Sequence, residues 1–208
     1  MPLQNRVDPF GVFHAISARG GLMGNRGILH DDQRNVLKTH AHQNWVTCAL
    51  SFKSIKREIM TSGRYTELFF LDEATALAAG HRPCASCRRD RYLAFTEAWQ
   101  ATHGGAEKDR SLPHTIDQAL HKSRITRRRE KVTHEAERST LPDGTIYSDG
   151  AEAYLAWQGK SFRWGFNGYT LADHFPQGTV TVLTPEPLIS VLRNGYNPEA
   201  HHSISNEV

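Results

Sequence analysis

Apolar positions along this chain repeat with period two in several short runs and at spacings of three and four in a few longer ones, so the pattern predicts mixed β and α structure. Residues 5–60 read as short strands broken by turns. Val12, His14 and Ile16 alternate with Phe13, Ala15 and Ser17, and Val46, Cys48, Leu50 and Phe52 fall on one face of a strand running from Trp45. Residues 66–71 read as a buried strand. Asp72 then caps a short helix from Glu73 to Ala79, with acidic residues in its first turn and Gly80 at its end. Tyr92, Phe95 and Trp99 mark a second helix over 88–101. Pro113 opens a charged helical stretch expected to reach about Arg138. Beyond Pro142-Asp143-Gly144, turn signals recur about every ten residues between runs rich in Tyr, Trp and Phe, which predicts an antiparallel meander over 144–183. A short helix, 185–193, follows it, and the tail from Pro198 is expected to fray.

Composition narrows the class. With 208 residues, 38% apolar and 23% charged, the chain has enough material for one substantial domain or two small ones and is not of the disordered type. No apolar run approaches a membrane span, and the first residues carry no basic stretch followed by an apolar one, so a cytoplasmic protein is expected. Charge is unevenly placed. Residues 1–140 hold 22 Lys/Arg against 15 Asp/Glu, and residues 141–208 hold 3 against 7. That asymmetry fits an anionic partner for the first part, or two surfaces that differ by chance.

Three cysteines are too few for a disulfide framework, but Cys84 and Cys87 form a Cys-x-x-Cys pair. Two thiolates from one tight turn reach a single ion, and zinc is the usual occupant. A redox pair would call for a helix start after a parallel strand in a βαβ context, which the pattern lacks. The run from Asp72 through the alanine-rich helix to Gly80-His81-Arg82-Pro83-Cys84-Ala85-Ser86-Cys87 resembles the second half of the Ada-type metal-binding module. The likeness spans about 22–88. It implies a zinc ion and an upstream ligand pair after a strand holding Gly-Asn. Gly24-Asn25 matches that strand, and His30 matches the first position of the pair. The second position falls on Arg34, which cannot bind metal, and Cys48 is the substitute, unless it is simply a buried strand residue. His81 and His42 are competing ligands. The expected set is therefore Cys84, Cys87, Cys48 and His30. With an imidazole where the family places its methyl-accepting thiolate, methyl transfer at that position is not expected.

Basic residues supply the remaining candidates. Lys122, Arg124, Arg127, Arg128, Arg129, Lys131 and Arg138 crowd one stretch, and Arg82, Arg88, Arg89 and Arg91 lie beside the cysteine turn. Arginine clusters bind phosphates bidentately and release counterions; a solvated helix face is the other reading. Among twelve histidines, His114, His121 and His134 with Glu135 are placed for acid–base or metal chemistry, yet no protease, Walker or dinucleotide signature is present. Trp157, Phe162, Trp164, Phe166 and Tyr169 are either a stacking platform for bases or the core of a β domain.

The expectation is an α+β protein: an Ada-like zinc module over 1–110, a basic helical connector over 111–140 and a small antiparallel β-rich domain over 141–208. The expected function is zinc-dependent contact with nucleic acid, with DNA the expected partner and repair or regulation the setting by family analogy alone. A phosphodiester hydrolase using the histidines and a non-catalytic interaction module are the alternatives.

Overall fold

The computed structural model describes residues 1–53 and 58–206. Chain order is β1 (Gln4–Val7), β2 (Phe13–Ala15), β3 (Leu22–Asn25), β4 (Val46–Cys48), β5 (Leu68–Phe70), α1 (Glu73–Ala78), β6 (Arg82–Pro83), α2 (Arg89–His103), α3 (Leu112–Arg124), β7 (His134–Glu137), β8 (Ile146–Ser148), β9 (Ala153–Trp157), β10 (Lys160–Gly165), β11 (Gly168–Leu171), β12 (Thr179–Val182) and α4 (Glu186–Arg193). The fold class is α+β. One mixed six-stranded sheet runs β2-β1-β5-β3-β4-β6, and a second, antiparallel one runs β11-β10-β9-β8-β12-β7.

Helix α1 is the hub. All six of its residues are buried, which a six-residue helix achieves only when packed on every side. Ala74 and Ala78 join the core of the second sheet with Ile146, Leu155 and Phe162. Leu77 packs with Phe95, Trp99, Leu120 and Leu188 of the other helices. Ala76 meets Leu68 and Phe70 of the first sheet. Through α1, residues of 1–110 and 141–208 meet in one hydrophobic cluster, and residues of all three expected spans meet in another.

Polar groups fix both ends of α1. At the N-terminus Asp72 accepts from the Thr75 amide at 2.8 Å and from the His201 amide at 2.9 Å. Glu73, 1% exposed, accepts from Arg88, Arg91, the Tyr196 hydroxyl at 2.6 Å and the Glu199 amide at 2.9 Å. At the C-terminus three cations from separate segments reach consecutive carbonyls. Lys131 donates to Ala78 O at 2.6 Å, Arg26 to Ala79 O at 3.2 Å and Arg124 to Gly80 O at 2.7 Å. These carbonyls have no partner within the helix and carry its negative pole, so cations satisfy them in both respects. Gly80, at φ +85°, turns the chain there, and a Cβ on it would lie 2.6 Å from the Arg124 side chain.

Three expectations are corrected. The strand from Trp45 ends at Cys48, and Leu50 is exposed. The helix from Pro113 stops at Arg124, where Ile125 takes an extended conformation. Residues 126–130 form a turn closed by the Ile125–Lys131 bridge, and His134–Glu137 pair as a strand with β12. β-Branched residues at 125, 126, 132 and 133 favour this over helix. The tail is anchored: Tyr196 and Ile204 are buried, and Glu199 and His201 bond to α1. Of the aromatic set in the meander, Phe162 and Tyr169 are core residues, with Trp157 and Trp164 packed partly buried against them.

Candidate metal centre

Parallel pairing of β4 with β6 sets the site. Val46 pairs with Arg82 and Thr47 with Pro83, and the Cys84 amide donates to Thr47 O at 2.9 Å. That register brings Cys48 beside Cys84. The following turn carries Cys87 back to the same point, closed by the Arg88 amide donating to Cys84 O at 3.2 Å. The sulfur atoms of Cys48, Cys84 and Cys87 all lie within 4.8 Å of one another, and each cysteine is half-buried. Among the described residues these three form the one group of His, Cys, Asp and Glu side chains gathered closely enough to hold a metal ion.

The three thiols differ in their electrostatics. The Cys84 thiol is pulled down to about 4. The Cys48 thiol donates to its sulfur, and the backbone amides of Cys87 and Ser86, the latter at 3.5 Å, add to that. Cys48 is pushed up, first by that same bond to Cys84 and then by burial. Burial also raises Cys87, partly offset by the Ala49 amide. Cys84 is thus the sulfur most ready to lose its proton, and a metal ion bound by all three would take the place of the remaining thiol protons.

The fourth expected ligand lies elsewhere. His30, after β3, forms a bridge with Val36, and its Nδ1 is 2.6 Å from Thr66 Oγ1. It is not within the cysteine group. His81 is also committed: its Nδ1 donates to Val46 O at 3.1 Å, leaving Nε2 to accept from Arg26 Nε at 2.8 Å. His42 is exposed, and its Nδ1 accepts from the Asn44 amide.

The arginine candidates divide into two sets. Arg82 is buried in a two-bond pair with Asp117, at 2.8 and 2.7 Å. Arg88 is buried between Thr47, Glu73 and Glu199. Arg124 is buried, donating to Gly80 O and Gln43 O and lying 4.0 Å from the Trp45 ring centre, with Arg26 at 4.1 Å from the same ring. These three support the frame around the cysteines rather than facing solvent. Arg89, Arg127, Arg128 and Arg129 are exposed. The last three sit at the tip of the 126–130 turn. Arg129 lies near enough to His40 to help depress it to about 4, after burial and the neighbouring His121. His114, His121, His134 and Glu135 are not gathered into a ligating group. The role of Trp45, whose ring meets two guanidinium groups, was missed by sequence reasoning; its approach by Arg26 and Arg124 carries no signal in one dimension.

The chain matches no family model, no curated protein and no solved structure. Among the described residues no helix is long and apolar enough to cross a membrane.

Proposed function

We propose that this chain is a zinc protein in which Cys48, Cys84 and Cys87 hold the ion, and that it contacts nucleic acid through Arg127, Arg128, Arg129 and Arg89. One observation carries the metal half: three sulfurs within 4.8 Å of one another in a chain with three cysteines. Zinc suits that set because thiolates at a tight turn fill three corners of its tetrahedral shell. A role in holding the fold follows from position. The site ties β4 to the turn that leads from α1 into α2, so the ion would clamp the edge of the first sheet to the helical layer.

The nucleic-acid half rests on the exposed turn. Arg127, Arg128 and Arg129 are consecutive and solvent-facing, with one acid, Glu130, in the same turn. His40 and His121 lie beside it. Exposed guanidinium groups without carboxylate partners are suited to phosphates. The hydrolase alternative draws no support from the placement of His114, His121, His134 and Glu135. The test is elemental analysis combined with fluorescence-anisotropy titration on duplex DNA and RNA across a salt series. Zinc at one per chain and salt-dependent binding support the reading. Protein that carries zinc but binds neither nucleic acid at low salt removes the second half and leaves the first.

A further inference from the structure

Among the described residues the fold brings no fourth His, Cys, Asp or Glu ligand to Cys48, Cys84 and Cys87. His81 has both ring nitrogens engaged, and His30 is buried against Thr66. Three thiolates leave one corner of a tetrahedral ion uncovered, and the half-exposure of all three cysteines leaves that corner a route to solvent.

The surroundings select what enters. Helix α2, 15 residues long, starts two residues after Cys87, and its N-cap residue Arg88 makes no side-chain capping bond. The positive pole of that helix therefore lies beside the cluster. The amides of Ser86 and Ala49 already donate to sulfur. Arg89, exposed, is the first residue of the helix. Such an environment stabilises a further negative charge on the ion, and a sulfur-ligated ion prefers a soft donor.

We propose, resting on the metal reading above, that the bound ion keeps one exchangeable position and that this position takes an exogenous thiolate. The thiol gives its proton to solvent as its sulfur bonds the metal, and the water that held the position leaves. No electron is transferred, and the three cysteine bonds stay intact. The centre would then act as a receptor for a small thiol or for a cysteine side chain of a partner, and not solely as a structural clamp.

The experiment uses the full chain, kept reduced with a phosphine and loaded with cobalt(II) in place of zinc. The visible ligand-field bands report the coordination shell. Titration with glutathione and with 2-mercaptoethanol should shift and intensify those bands to saturation at one thiol per metal, with the ion retained. Imidazole at the same concentrations should produce a much weaker change. The His30→Ala and His30→Gln variants should show the wild-type spectrum and the wild-type thiol response. Four results overturn the proposal while leaving the metal reading in place: no spectral change with thiol, a response to imidazole alone, a thiol that strips the cobalt, or a His30 variant whose thiol-free spectrum differs from wild type. The last would mean that His30, whose Nε2 is buried without a partner, swings in to close the shell. Failure to bind cobalt at all overturns the metal reading itself.

Discussion

Asp117→Ala should destabilise this protein more than any single surface substitution, because it strips the counter-charge from an arginine sealed beside the cysteine turn. The Arg82 and Asp117 side chains are 6% and 4% exposed. Two short bonds join them, and the guanidinium also donates to Pro83 O at 3.2 Å and lies 5.7 Å from the Tyr92 ring centre. Removing one partner of such a pair costs about 3–5 kcal/mol, since the other charge stays buried without compensation. For a chain of this length each kcal/mol moves the melting temperature by about 2–4 °C, so a drop on the order of 10 °C is expected. Asp117→Asn, which keeps a hydrogen-bond acceptor, should lose about half as much. The Arg82→Met, Asp117→Leu double variant should recover most of the loss, because it removes both charges and keeps the volume. Urea unfolding at fixed zinc checks all three, and repeating it with a chelator separates the contribution of bound metal. A loss under about 1 kcal/mol for Asp117→Ala, or a double variant no better than the single, would refute the reasoning.

Lys131 offers a test by pH. Burial and the nearby Arg26 lower its ammonium to about 7, with Asp8 opposing. A lysine lowered in the folded state binds fewer protons there than in the unfolded chain between its two pKa values, so stability should rise from about pH 7 towards pH 10. Lys131→Met should flatten that rise, and parallel urea-midpoint curves for the two proteins would count against it. His81, buried beside Arg26, is lowered too, so stability should fall as pH drops below about 6.5, the ordinary imidazole value. A flat acid limb down to pH 5 would contradict that. On the proposed nucleic-acid surface, changing Arg127, Arg128 and Arg129 together to Ala should flatten the log–log salt dependence by up to about three units without loss of zinc or fold. An unchanged slope would place binding elsewhere. Cys48→Ser should lower metal affinity more than His30→Ala does, and chelator competition ranks them.

What could be read in one dimension was local. Asp72 announces α1, because a short acceptor before an alanine-rich run has few other uses, and the turn residues at Asp149-Gly150 and Gln158-Gly159 space the meander correctly. Cys84 and Cys87 declare themselves by their separation. Cys48 was reachable because it is the one remaining thiol. The fold places it through a parallel register between β4 and β6, and no spacing rule encodes such a register. His30 illustrates the limit: an upstream family position holds only if the chain returns it to the cysteines, and here the ring bonds Thr66, just before β5, instead. Charge counts failed in the same way. Arg82, Arg88 and Arg124 look like neighbours of Arg89 and Arg127 in the sequence, yet each meets a partner 15 or more residues away. Asp117, lone on an otherwise basic stretch, was the signal that one arginine is internal. The tail looked free because nothing in its composition shows that Glu199 and His201 complete the N-terminal cap of α1.

The most direct measurement is metal content joined to zinc-edge X-ray absorption on protein purified without chelator. The prediction is one zinc per chain with three sulfur neighbours at about 2.3 Å and a single lighter donor. The fourth distance should lengthen to that of a sulfur when a small thiol is added. Well under one zinc per chain, or a shell with two sulfurs or fewer, would contradict the assignment of Cys48, Cys84 and Cys87 as the centre.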